Sequence, residues 1–320
     1  MMNYLMLMVG LIILLAGGDL LVRGAVGVAE RFRVPPLIIG LTIVALGTSA
    51  PELMISVKAA LDNAGGIAIG NVVGSNIANV FLVLALPALI KATVCHEDGI
   101  GKNILVMIGM TLVFMGMLAN GILTRYDGVI LLILLGLFIY DQYRSAVEHR
   151  NVLDQASATT NASHDDIPES PKNPLIVAAL LIAGLVLLPL GADFTVNGAT
   201  EIARTWGVSE EVIGLTIVAV GTSLPELATS LLAVWRNNSS VALGNVVGSN
   251  IFNIGAIMGI AAAISPIPVA DRIISVDIWI MLASAALVAL LAHYNILIGK
   301  KIATAMLAAY GAYTVLAYVM

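Results

Sequence analysis

The chain is 320 residues long, 59% apolar and only 11% charged, with a mean hydropathy of +1.00 and a formal net charge of -5. Soluble domains carry about a quarter charged residues, so a soluble globular enzyme, a disordered chain and a nucleic-acid binder are excluded. A polytopic membrane protein remains. One cysteine, Cys95, makes an intramolecular disulfide impossible.

Stretches without Asp, Glu, Lys or Arg set the spans, because a charge at mid-bilayer is costly. They predict ten helices, over 4–31, 36–61, 68–91, 103–123, 126–147, 173–204, 210–236, 242–264, 274–293 and 298–319. Continuous apolar runs, rather than alternation over about ten residues, exclude an outer-membrane barrel. The N-terminal run has no basic lead and reads as the first helix rather than a cleaved signal. One long polar stretch, 148–173, has the composition of a flexible linker and is too short for a folded regulatory domain.

Lys and Arg set the orientation. One side's loops hold Lys58, Arg125, Arg204 and Arg272; the opposite side holds the other eleven of the 15 basic residues. The second side is therefore expected in the cytoplasm, with the linker, and both termini outside.

The chain repeats itself. Residues 40–79 and 214–253 align without a gap at an offset of 174, and 25 of the 40 positions are identical. The same offset pairs Asp19 with Asp193 and Gly24 with Gly198. The unit is five helices. Five is odd, so the second copy crosses the membrane in the opposite sense, an architecture common in secondary transporters. The expected fold is an all-α polytopic membrane protein with ten transmembrane helices in two inverted-topology five-helix repeats. These are 1–147 and 173–320, with α-repeats at 40–91 and 214–265, joined by a cytoplasmic linker, 148–172.

Each repeat carries G-T-S-x-P-E, Gly47 to Glu52 and Gly221 to Glu226, near the middle of a helix. Pro51 and Pro225 lack an N–H and clash with the carbonyl four residues back, so the helix should bend or break. Carbonyls such as those of Ala45, Gly47 and Thr48 should lose their partners and need others. The hydroxyls of Thr48, Ser49, Thr222 and Ser223 add neutral oxygens, and Glu52 and Glu226 add carboxylates. Buried intramembrane carboxylates are functional candidates by default, and an all-oxygen set suits hard cations such as Ca²⁺ and Na⁺. Neither motif contains His or Cys, against a zinc or copper site; His96, His149, His164 and His293 fall in or beside loops.

The second block is G-N-V-V-G-S-N-I-x-N. Gly70/Gly74 and Gly244/Gly248 are spaced for close helix contact. Ser75 and Asn79 share a face, as do Ser249 and Asn253, and these four are assigned to the ion site. Asn71, Asn76, Asn245 and Asn250 project elsewhere. Two ionised glutamates are neutralised by one Ca²⁺ or two Na⁺, the arithmetic of an exchanger. A third Na⁺ on neutral oxygens makes the exchange electrogenic. Asp19, with Arg23 at i+4, reads as a locally paired structural acid; Asp193 has Asn197 there. A gating or ion-access role is the alternative for both.

These paired blocks resemble the α-repeats of the calcium/cation antiporter superfamily, in its Na⁺/Ca²⁺ exchanger branch. The resemblance implies that helices 2, 3, 7 and 8 surround the ions while helices 1 and 6 slide across them. It implies that Glu52, Glu226 and the backbone carbonyls of Thr48 and Thr222 take Ca²⁺. It further implies that Ala45, Ser49, Glu52 and Ser75, with Ala219, Ser223, Glu226 and Ser249, form flanking Na⁺ sites. Asn79 and Asn253 are the central polar pair. Family members that also carry K⁺ have Asp at the position of Asn253, so the resemblance points to a K⁺-independent exchanger. The short linker departs from animal members with large inserted Ca²⁺-sensing domains and implies a prokaryotic plasma-membrane protein, without cofactors and functional as a monomer. The alternative transporter is a proton/Ca²⁺ exchanger. An intramembrane hydrolase using Ser49 or Ser223 lacks a base in either block, and a channel is disfavoured by the repeat within one chain.

Overall fold

In a computed structural model, residues 2–62, 64–94, 97–159, 173–208 and 219–319 are described. The fold is all-helical and polytopic. The helices are α1 (Met2–Phe32), α2 (Pro36–Thr48), α3 (Ala50–Leu61), α4 (Gly65–Ile90), α5 (Ile100–Leu118), α6 (Arg125–Thr159), α7 (Pro174–Thr205), α8 (Leu224–Trp235), α9 (Ser239–Ile264), α10 (Ile273–His293) and α11 (Lys300–Val319). A turn of helix, Ala219–Gly221, precedes α8. Among the described residues seven helices are long and apolar enough to cross a membrane, or eight if α2 and α3 count as one bent span. The N-terminal part of the expected seventh span, 209–218, lies outside the described residues, as do Cys95, His96, His164 and residues 160–172 of the expected linker.

Local chemistry starts and stops these helices. Pro36 opens α2, where its missing N–H costs nothing. The Asn173 side chain caps α7 by accepting from the Leu175 N–H at 3.0 Å. The fifth helix does not end at 147 as expected. It runs on to Thr159, because 148–159 is rich in good helix formers despite its polarity.

α1 and α7 lie antiparallel along their whole length, and glycines at heptad spacing make this possible. A Cβ on Gly10, Gly17 or Gly24 would stand 2.5–3.0 Å from backbone of α7, at Thr195, Leu188 and Leu181. A Cβ on Gly184, Gly191 or Gly198 would stand 2.6 Å from backbone of α1, at Leu21, Leu14 and Leu7. The two glycine sets are themselves 174 residues apart.

Beside this pair, which packs into a smaller cluster of its own, the remaining helices form the main apolar core. α4 and α9 are at its centre, with α5 and α10 against them. α6 packs on the end of α9 and α11 on the end of α4, so each half of the chain closes over the other. Two short ribbons join the ends: β1 (Thr93–Val94) pairs antiparallel with β4 (Leu297–Ile298), and β2 (Ile122–Leu123) with β3 (Ile267–Pro268). The periphery exposes large apolar side chains such as Leu105, Leu112, Ile133 and Leu137. Water would not tolerate them in such numbers; lipid does.

The close-contact reading of the small residues holds where it can be examined. A Cβ on Gly244 or Gly248 would lie 2.6 Å from the carbonyl oxygen of Leu37 or Leu41, so α9 and α2 meet backbone to backbone. The face related to this one for Gly70 and Gly74 falls on 209–218, outside the described residues.

Candidate ion-binding site

The helix breaks as the prolines require. Ser49 leaves the helical region at φ −82°, ψ 8°, and α2 and α3 meet at 47°. Ser223, at φ −88°, ψ 7°, does the same before α8. In each case the proline is the second residue of the new helix, and the glutamate is its third. Both carboxylates therefore sit in the first turn of a helix, where the helix dipole favours negative charge.

One expectation is corrected. The Ala45 carbonyl keeps its partners: the Ser49 N–H donates to it at 3.1 Å and the Thr48 hydroxyl at 3.4 Å. The break lies after Ser49, so only the carbonyl four residues before Pro51, that of Gly47, faces a residue without an N–H.

Thr48, Ser49, Glu52, Ser75, Asn79, Ser223, Glu226, Ser249 and Asn253 are each at most 3% exposed. Ala45 is buried and Thr222 half-buried at the break. Ala219 lies in the short helical turn just before it. Bonds cross between the halves. The Ser49 hydroxyl donates to Glu226 Oε1 at 3.0 Å, and the Thr48 hydroxyl to Asn245 Oδ1 at 3.1 Å. The Asn79 amide donates to Asn250 Oδ1 at 3.0 Å, and the Asn253 amide to Asn76 Oδ1 at 2.9 Å.

Asn71 and Asn245 hold the glutamates in place. The Asn71 amide donates to the Glu52 carbonyl at 3.2 Å and to Ser56 Oγ at 3.0 Å. The Asn245 amide does so to the Glu226 carbonyl at 3.4 Å and Ser230 Oγ at 3.2 Å. These four residues were not among the expected site. Their signal was present: Ser56 and Ser230 lie at i+4 from a glutamate, on its face, and all four occur in both repeats.

Of nine buried side-chain oxygens without a hydrogen-bond partner among the described residues, six belong to the expected set: Glu52 Oε2, Glu226 Oε2, Ser223 Oγ, Ser249 Oγ, Asn79 Oδ1 and Asn253 Oδ1. A buried oxygen without a partner is costly. Six in one set of symmetry-related residues describe a hard-cation chelator better than a packing error. Among the described residues no group of three His, Cys, Asp or Glu could hold a metal ion. Two carboxylates among neutral oxygens suit a cargo that must leave again. A cavity of about 390 Å³, lined by Gly47, Ser49, Leu53, Leu185 and Phe252, opens beside Ser49. At the site's edge, π-helical turns begin at both Asn79 and Asn253; such turns cluster at functional sites.

The sequence model of the sodium/calcium exchanger protein family matches residues 2–144 and 176–319. The chain belongs to the Na⁺/Ca²⁺ exchanger family. It is a multi-pass membrane transporter of cations, not an enzyme. The chain is 35% identical to the inner membrane protein YrbG of Escherichia coli over 291 residues, covering 89% of this chain and 87% of that one. It is 31% identical to the sodium/calcium exchanger MaX1 of Methanosarcina acetivorans over 312 residues, 88% of each. Its fold matches that of the sodium-calcium exchanger NCX_Mj soaked with Na⁺ and Sr²⁺. The TM-score is 0.82 at 33% identity, covering 99% of this chain and 98% of that one.

Asp19 and Asp193 part company. Asp19 is paired with Arg23 at 3.8 Å and, more closely, with Arg236 at the end of α8. Asp193 is exposed. Outside the site, His293 is exposed at the end of α10, beside a loop as expected; His149 is also exposed but lies within α6, because that helix runs on to Thr159.

Proposed function

We propose that this exchanger is a secondary-active Na⁺/Ca²⁺ antiporter working by alternating access, electrogenic and independent of K⁺. The observation that carries the reading is the pair of buried glutamates, each at a proline break, surrounded by oxygens that lack partners among the described residues. Glu52 and Glu226 chelate Ca²⁺, with the carbonyls of Thr48 and Thr222. Ala45, Ser49, Glu52 and Ser75, with Ala219, Ser223, Glu226 and Ser249, hold Na⁺ on either side, and Asn79 and Asn253 form the central pair. The two carboxylates balance one Ca²⁺ or two Na⁺. A third Na⁺ on neutral oxygens moves net charge each cycle.

The proposal includes ten spans in two inverted five-helix repeats, 1–147 and 173–320. Two observations support it. α1 and α7 are equivalent at the offset of 174 yet run antiparallel. The ribbon β1–β4 corresponds at that offset to β3–β2, and ten alternating spans put each ribbon's two strands on one side and the two ribbons on opposite sides. The excess of Lys and Arg supports cytoplasmic placement of 148–172 and external termini in a prokaryotic plasma membrane. A monomer contains both glutamates and is the proposed unit. MaX1 and NCX_Mj are both named as sodium/calcium exchangers, which favours Na⁺ over the alternative coupling ion, H⁺.

The test is ⁴⁵Ca²⁺ uptake into proteoliposomes loaded with Na⁺ and diluted into Na⁺-free buffer, against choline-loaded vesicles. Uptake that needs internal Na⁺, ignores K⁺ and survives a protonophore is expected. Equal uptake in choline-loaded vesicles under a pH gradient overturns the Na⁺ coupling in favour of H⁺.

A further inference from the structure

The two faces of the carrier are related by the 174-residue offset, yet they are not equivalently closed. On one face α1 lies against α8: a Cβ on Gly18 would stand 2.9 Å from Leu232 Cδ1 and 3.2 Å from the Ala228 backbone. Asp19, one residue on, reaches Arg236 at the end of α8 and also pairs with Arg23. On the other face the corresponding packing of α7 on α3 is nearly absent. Met54, which corresponds to Ala228, is 72% exposed, and the cavity beside Ser49 is lined mainly by α2 and α9, with Leu53 of α3 and Leu185 of α7 at its wall.

The sequence differs at the same places. Ala192 stands where Gly18 does, so α7 is denied the same close approach. Asp193 corresponds to Asp19, Asn197 to Arg23, Lys58 to Leu232 and Asp62 to Arg236. One face therefore clamps a carboxylate between two guanidiniums. The other offers two carboxylates and a single ammonium one turn before Asp62. The glycine register ties α1 and α7 into one body, so opening the first face closes the second.

Resting on the alternating-access reading, we propose that Asp19, Arg23 and Arg236 form a one-sided gate latch. It biases the carrier towards the state closed at the α1–α8 face, in which α3 stands clear of α7. In the orientation proposed above that state is closed towards the cytoplasm. The three side chains are positioning residues: they touch no ion of the site and act by holding the gate.

The latch is tested by the distance between spin labels on the open face, at Leu61→Cys and Asn197→Cys, in a Cys95→Ser background. Arg236→Gln should increase the shorter-distance population relative to the longer by about two- to fivefold, the range of a partly exposed ion pair. Asp19→Asn should do the same, Arg23→Gln less. Arg236→Lys, which keeps the charge, should leave the parental distribution. Identical distributions in Arg236→Gln and the parent overturn the latch, and so does Arg236→Lys behaving as Arg236→Gln. The distances need no flux, so failure of the antiporter reading appears separately, in the ⁴⁵Ca²⁺ assay.

Discussion

Replacing Glu52 by Gln keeps the shape of a side chain that is 1% exposed and removes one unit charge. At such burial the effective dielectric constant is about 20, and two unit charges about 4 Å apart interact by about 4 kcal/mol. The loss is about 8 kcal/mol for Ca²⁺ and about 4 kcal/mol for Na⁺, before desolvation takes back part of each. The difference is the firmer quantity: about 4 kcal/mol, or about a thousandfold in preference for Ca²⁺ over Na⁺. Thermal-unfolding titrations of purified protein with Ca²⁺ and, in parallel, with Na⁺ read it without transport. Ca²⁺ at a hundred times its dissociation constant stabilises a protein by about 2.7 kcal/mol. A variant binding about a thousandfold more weakly gains less than about 0.1 kcal/mol from the same concentration. In ion-free buffer Glu52→Gln should melt no lower than the parent, because the substitution removes a buried charge whose Oε2 has no partner among the described residues. Glu226→Gln should do likewise, less cleanly, since it also weakens the bond from Ser49. A Glu52→Gln protein that keeps the full Ca²⁺-dependent rise in Tm would refute the placement of Ca²⁺ on this carboxylate.

Three further outcomes follow from particular contacts. Asn245→Leu strips partners from the Glu226 carbonyl, Ser230 and Thr48; at about 1–3 kcal/mol for each buried group left unpaired, Tm in ion-free buffer should fall by more than for Asn71→Leu, which strips two. Gly248→Ala drives a Cβ to 2.6 Å from the Leu41 carbonyl oxygen and should abolish recovery of folded protein, whereas Gly109→Ala, with nothing within 4 Å, should be recovered at parental yield on size-exclusion chromatography. Asn253→Asp raises the charge of the set from −2 to −3 and should make ⁴⁵Ca²⁺ uptake depend on an added monovalent cation, K⁺ included. Uptake indifferent to K⁺ in that variant would detach Asn253 from the ion site.

The sequence made the helical stretches legible because lipid forces it to: every span must be apolar and must satisfy its own backbone. It also announced the breaks at Ser49 and Ser223, since proline acts on its own neighbours. The two-residue strands gave no such signal. A pair as short as Ile267–Pro268 has no alternation to read, and it forms because α9 and α10 end opposite Ile122 and Leu123. The extension of α6 to Thr159 was hidden by polarity, which reports solvent exposure and not backbone conformation. The heptad of glycines in α1 and α7 was written plainly, but only its equivalent in space shows that the two sets face each other. Asp19 was read with its neighbour Arg23, four residues away. Its closer partner, Arg236, is 217 residues off, and no local rule connects them.

The site's asymmetry has a consequence for how a symmetric repeat serves an exchanger. Ser49 donates to Glu226 Oε1, while Ser223 Oγ and Glu52 Oε2, which correspond to that pair with the halves exchanged, are both without partners among the described residues. The same chemistry is thus satisfied on one side and open on the other, in a chain whose Asp19–Arg236 ion pair has no counterpart at the corresponding positions, Asp193 and Asp62. A site built from two identical halves would offer an ion no preferred way out. The open pair, like the satisfied one, takes its serine from one half and its glutamate from the other, so a cation satisfying Glu52 and Ser223 would remove the cost of two oxygens orphaned among the described residues at once. A closed carrier without cargo leaves that cost unrelieved. In the proposed alternating-access cycle, ion occupancy rather than packing would decide whether the α1–α7 body can cross, and empty crossing, which would dissipate the gradient as a leak, would be held back by the same oxygens, unpaired among the described residues.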